Sequence, residues 1–182
     1  MNIARFMAPA ILLLATACAH QQRQPLPFEA PPYVLHQVVF VHNAAVGIDT
    51  DAGPFAVSHV ENAMDLTASA YAKARGLADT DVVGWVEKYK PTFFIAASID
   101  CAKAHDGPFK CGGFISKDNA VHIKGDVSGC LSNTSFVHFF LHYLVGCHTG
   151  AMDIEHTSAV FKELEPAINL ELAQKCTRAA VR

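Results

Sequence analysis

Apolar and polar positions change period several times along this chain, and each change marks an element. Over residues 34–41, β-branched and apolar residues follow one another and predict a buried strand. Residues 51–54 carry a helix-start signal. Beyond them Val57, Val60, Met64, Thr67, Ala68 and Tyr71 recur at helical spacing up to Arg75, and Gly76 is the predicted stop. Residues 79–88 predict a short helix with Trp85 as a buried anchor, and residues 92–98 a second strand. Residues 113–116 and 120–124 predict two strands around the Lys117-Asp118-Asn119 turn. In the second of them Val121 and Ile123 are expected to face inward, His122 and Lys124 outward. Ser132-Asn133-Thr134 offers a helix cap, and a helix is predicted from there to about residue 145, stopped by Gly146. This helix is apolar on nearly every side (Phe136, Val137, Phe139, Phe140, Leu141, Tyr143, Leu144), which predicts burial. Thr157 or Ser158 caps a last helical region, which Pro166 either divides or restarts.

The first residues follow a different pattern. Arg5 precedes an apolar run over residues 7–14, and Ala15-Thr16-Ala17 forms a small-residue cleavage site. The run is too short to cross a bilayer as a helix. With Cys18 directly after it, the segment resembles a bacterial lipobox. That resemblance implies a signal peptide over residues 1–17, lipidation of Cys18 and attachment to a membrane through the lipid. Ala19, rather than an aspartate, follows the cysteine, and by resemblance to such lipoproteins this implies the outer membrane, facing the periplasm. Residues 18–32 are polar and carry Pro25, Pro27, Pro31 and Pro32, so they read as an extended tether. Residues 33–182 are the right size for one domain with its own core.

Composition narrows the chemistry. The net charge is −3 and no basic cluster exists, so a nucleic-acid partner is not expected. Five cysteines follow Cys18, and an exported domain sits where disulfides persist. Cys101 and Cys111 bracket a short loop and are the natural first pair. Cys130 and Cys147 flank a helix about 20 Å long at ~1.5 Å per residue, too far apart to bridge. Cys176 can then pair with either one, and the choice is open.

The candidate chemistry lies at His138-Phe139-Phe140-Leu141-His142. Histidines four apart share one helix face and can grip one metal ion. The run resembles the zincin motif H-E-x-x-H of zinc metallopeptidases, with Phe139 in place of the glutamate. The resemblance implies an α+β, zincin-like fold. Its parts are a small twisted sheet, a backing helix, a buried helix of the active-site type and a C-terminal helix. It implies Zn2+ as cofactor and a third ligand from downstream chain. His156 is favoured, within a Gly150…Asp153…His156 stretch similar to an element of small bacterial metallopeptidases. His148 is the alternative, at a metzincin-like spacing, and Glu155 would give a gluzincin-like set. Asp153 could orient a ligand imidazole.

Phe139 cannot take a proton from water, and losing a positioned base costs about 10²- to 10⁴-fold in rate. Glu155 is the candidate substitute base, with Asp153 behind it. Two functions therefore stand as expectations. One is a membrane-tethered zincin-like metalloprotein, impaired as a peptidase or amide hydrolase. The other is a non-enzymatic envelope lipoprotein that binds a peptide or protein on a peptidase-derived scaffold. His36, His42, His59, His105 and His122 are read as structural or solvated.

Overall fold

The computed structural model describes residues 35–51, 55–96, 99, 113–115, 120–124, 135–153 and 155–180. The segments expected to be a signal peptide and a tether, with Cys18, lie outside them, as do Cys101, Cys111, Cys130, His105 and the expected cap at residues 132–134. Within the described residues the chain is α+β, as the hydrophobic pattern predicts. Five strands form one mixed sheet, accompanied by four α-helices: β1 (Leu35–Val41), β2 (Ala44–Thr50), α1 (Val57–Arg75), α2 (Asp79–Tyr89), β3 (Thr92–Ala96), β4 (Gly113–Ile115), β5 (Ala120–Lys124), α3 (Ser135–Thr149) and α4 (Glu165–Ala180). Helices α1, α2 and α3 pack on the sheet, and α4 packs on α1 and α3. A π-helical turn, Val160–Leu164, runs directly into α4. The sheet order is β1-β2-β3-β5-β4. The central strands β2, β3 and β5 are parallel, while β1 and β4 are antiparallel strands at the two edges.

Strand β2 is the element that periodicity did not predict. Its sequence, Ala-Ala-Val-Gly-Ile-Asp-Thr, is poor in strand-forming residues. It forms because His42 and Asn43 both adopt positive φ, 45° and 76°, in a two-residue hairpin loop that folds the chain back on β1. Alternate residues Ala44, Val46, Ile48 and Thr50 then become buried.

Helix α1 packs along the outer edge of β1. Glu61 and Asp65, one turn apart, accept the Phe40 and His42 backbone N–H groups at 3.1 and 2.8 Å. Ser69, a turn further on, hydrogen-bonds His42 Nε2 at 3.1 Å. One polar helix face therefore occupies edge amides that would otherwise be open to pairing with another chain. Gly76, with φ 67°, ends α1 as predicted. Trp85 is only half-buried, because α2 leaves one side of it open, and its ring stacks on His148. His122 was expected outside but is buried, and it stacks on Phe94 at 4.9 Å. Packing on the Phe94 ring of the neighbouring strand buries it, so strand alternation did not separate core from solvent.

Helix α3 is the core helix. Phe136, Val137, Phe140, Leu141, Tyr143, Leu144 and Val145 are all buried. At about 1.5–3 kcal/mol for each large apolar side chain, this burial fixes the helix firmly against the sheet. Gly146 does not stop it. The helix continues to Thr149, and Gly150, with φ 83°, follows its end. Gly146 is small for a different reason: a Cβ there would lie 3.2 Å from Cγ of Met152. The chain leaving α3 thus folds back closely over its own last turns. Pro166 is the second residue of α4 and directly follows the π-helical turn, in which Glu165 N–H bonds the Val160 carbonyl five residues back. Cys176 is disulfide-bonded. No described helix is long and apolar enough to cross a membrane.

Candidate metal centre

His138 and His142 lie one turn apart on α3 and face the segment that follows it. His142 is buried and His138 half-buried. The loop after α3 brings His156 to them. Asp153 builds that loop. Its carboxylate accepts Thr157 N–H at 3.0 Å, Thr157 Oγ1–H at 2.7 Å and Ser158 N–H at 2.9 Å. Its own carbonyl accepts His156 N–H at 2.9 Å. The hydrogen bonds from Ser158 and Thr157 hold the Asp153 carboxyl well below the usual carboxylate range. Asp153 and His156 both adopt left-handed φ, 49° and 53°. Such a conformation costs a non-glycine residue about 1–2 kcal/mol, and the clamp at Asp153 holds it in place.

The result is three imidazoles around one point. His142 Nε2 is 3.1 Å from His138 Nε2 and 3.0 Å from His156 Nε2. The donor atoms of all three lie within 4.8 Å of one another, so they are positioned to hold a metal ion. Two nitrogens bound tetrahedrally at about 2.0–2.1 Å to one ion would sit about 3.3 Å apart, close to these separations.

The tautomers sharpen this fit. His142 Nδ1 lies 2.5 Å from the Met152 carbonyl oxygen, which can only accept. Nδ1 therefore carries the proton, and Nε2 of the neutral ring presents a lone pair. His138 Nδ1 faces both carboxylate oxygens of Glu165, at 3.2 and 3.1 Å, which fixes the same tautomer. With both rings neutral, two lone pairs would point at each other across 3.1 Å. A proton on one ring would relieve a single contact; a metal ion relieves the whole group at once. Burial is the main cause that pushes the His142 pKa down to about 4, reinforced by His138 and His156 and opposed by the Met152 hydrogen bond. His142 therefore stays neutral, as a ligand must.

Phenyl rings flank the three imidazoles. The Phe161 ring centroid is 4.3 Å from that of His142, 4.7 Å from His156 and 5.3 Å from His138. The π-helical turn places both Phe161 and Glu165 toward α3, a register change of a kind that often marks functional sites. The Phe139 ring lies 5.2 Å from His138 and 5.9 Å from His142. It also reaches β4: a Cβ on Gly113 would fall 2.5 Å from Cε2 of Phe139.

The other sequence candidates lie elsewhere. His148 is on the far side of α3, stacked on Trp85 at 5.7 Å and hydrogen-bonded through Nδ1 to Tyr71 Oη at 3.0 Å. Glu155 is exposed and outside the group of three. Asp153 does not orient an imidazole by side-chain contact, since its carboxylate caps the following turn. The orienting groups are Glu165 and the Met152 carbonyl. No motif pointed to Glu165. It lies 27 residues from His138, and only the packing of α4 on α3 joins them.

Two results are expected of these contacts. Glu165→Ala should weaken metal affinity about 10–100-fold, as loss of an orienting partner does, and Glu165→Gln much less. Competition against a chromophoric chelator measures both. The second concerns pH. An unfolded histidine titrates near pH 6.5, whereas folded His142 resists protonation until about pH 4. The stability this difference contributes is present above about pH 6.5 and is lost as pH falls towards about 4. Urea midpoints of the metal-free protein should fall over that window. The fall should flatten in His142→Gln. A midpoint unchanged from pH 7 to 4.5 would contradict the assignment.

The fold and site together define an α+β chain with a three-histidine group positioned to hold a metal ion. Comparison with known protein families, with curated proteins and with solved structures finds no match to this chain.

Proposed function

We propose that this chain is a membrane-tethered, zincin-like metalloprotein whose three histidines hold Zn2+, and that it is impaired as a peptidase or amide hydrolase. The observation that carries the metal reading is the set of facing Nε2 atoms at 3.0–3.1 Å, with Nδ1 of both α3 histidines committed elsewhere. Imidazole donors suit zinc among the common divalent ions, and a site of three protein ligands leaves a position for a further one. The histidine helix beneath a mixed sheet with an antiparallel outer strand supports the zincin-like part of the reading. The tether rests on the lipobox resemblance at Cys18.

Bound zinc would supply a Lewis acid and lower the pKa of water. The chain's own contribution is to orient His138 through Glu165 and His142 through Met152, and to exclude water with Phe139 and Phe161. No carboxylate among the described residues joins the donor group, and the position after the first histidine is a phenyl ring. That favours binding over hydrolysis. The test is elemental analysis of the domain purified without residues 1–18, with a peptide-library assay alongside. About one zinc per chain with little or no hydrolysis is expected. A metal-free protein that stays so after zinc addition would sink the metal reading, and efficient zinc-dependent cleavage would sink the impairment.

A further inference from the structure

We propose that the ligand completing this metal site is a small monoanion of the carboxylate class, and that Phe139 sets its size by filling the space between the three histidines and β4. The inference rests on the metal reading above and concerns what the loaded site accepts. Its first support is charge. The protein donors are imidazoles, and the two on α3 present neutral lone pairs because their Nδ1 protons are held by Met152 and Glu165. Neutral donors leave the charge of a divalent ion uncompensated at its coordination sphere. Glu165 faces His138 on the ring edge away from Nε2, so its carboxylate is not itself a donor. An incoming anion therefore meets net positive charge.

The second support is the wall. Phe161 lies against all three imidazoles and Phe139 against two of them. Apolar walls strengthen the attraction between a bound cation and a single negative charge. They also make a strongly hydrated dianion costly to admit, since nothing in the wall replaces its water. A carboxylate with a small apolar substituent answers both conditions.

The third support is space. Atoms Cε2 and Cζ of Phe139 would be 2.5 and 2.8 Å from a Cβ at Gly113, so the ring lies directly against the backbone of the outermost strand. The same ring reaches to within 5.2 Å, centroid to centroid, of His138. Phenyl thus bridges the strand and the metal-binding group.

The experiment uses cobalt(II) as a spectroscopic stand-in for zinc in the domain lacking residues 1–18, with acetate, benzoate, phosphate and the neutral N-acetyl-trialanine amide as probes. Acetate should change the visible cobalt spectrum saturably. The neutral peptide amide should leave it unchanged, and phosphate should bind more weakly than acetate. In Phe139→Ala, benzoate should gain about tenfold or more, the scale on which pocket size discriminates apolar groups, while acetate changes little. Stoichiometric cobalt with no response to acetate would overturn the inference and leave the metal reading standing. So would a peptide amide or phosphate that outcompetes acetate. Failure to bind cobalt at all would overturn the metal reading itself. The wild-type comparison decides the anion class even if Phe139→Ala does not fold.

Discussion

His142→Ala is expected to abolish stoichiometric metal binding, taking the domain from about one zinc per chain to almost none. His142 is the shared member of both short contacts, to His138 and to His156, so its loss leaves no pair of donors at bonding separation. It is also the most buried of the three, and its Nδ1–H satisfies the Met152 carbonyl. The metal should stabilise the wild-type fold by mass action. At free zinc about a thousand times Kd the gain is about 4 kcal/mol, which for a domain of this size raises Tm by on the order of 10 °C. Differential scanning calorimetry with zinc and with chelator should show that shift in the wild type and none in His142→Ala. His148→Ala should keep the metal, because His148 packs on Trp85 and Tyr71 across the helix. A zinc-induced shift that survives in His142→Ala, or disappears in His148→Ala, would contradict the assignment.

The second large effect is expected at Gly113. A methyl group there would come within 2.3 Å of the His122 carbonyl oxygen and 2.5 Å of the Phe139 ring. The ring can move, but the carbonyl belongs to the strand paired with β4 and cannot move without disturbing the sheet. Gly113→Ala should therefore cost about 2–3 kcal/mol, at the upper end for overpacking. Urea denaturation measures it. Adding Phe139→Ala should recover only part of that cost, because the carbonyl contact remains. This non-additivity identifies the ring and the methyl group as direct neighbours. Full recovery would mean that the ring alone sets the constraint, and an additive double mutant would mean that the two do not touch.

The hydrophobic pattern located both long helices of the core, α1 and α3, and four of the five strands. These elements bury a periodic or continuous apolar face, and that face is written locally. It missed β2, where Ala, Gly and Asp stand in a strand made by the hairpin loop at His42-Asn43 and by a parallel partner in β3. It placed the end of α3 at Gly146, because a glycine near a helix end reads as a stop. In the folded chain that glycine makes room for Met152. His122 was read as outward from strand alternation, yet it is buried and stacked on Phe94 of the neighbouring strand.

The sequence by itself determined the histidine pair that is positioned to hold a metal ion. A spacing of four on an apolar helix puts His138 and His142 on one face by helix geometry alone, and Phe139 beside them withholds a base whatever the fold. It could not choose between His156, His148 and Glu155, because that choice depends on how a loop turns after the helix ends. The tertiary structure decided it. Asp153 clamps the loop with three hydrogen bonds, two residues take left-handed φ, and His156 arrives at 3.0 Å from His142. Glu165 and Phe161 come from further away, brought by the packing of the last helical region on α3. Local spacing sets which donors can share a face; long-range packing sets which partners orient and enclose them.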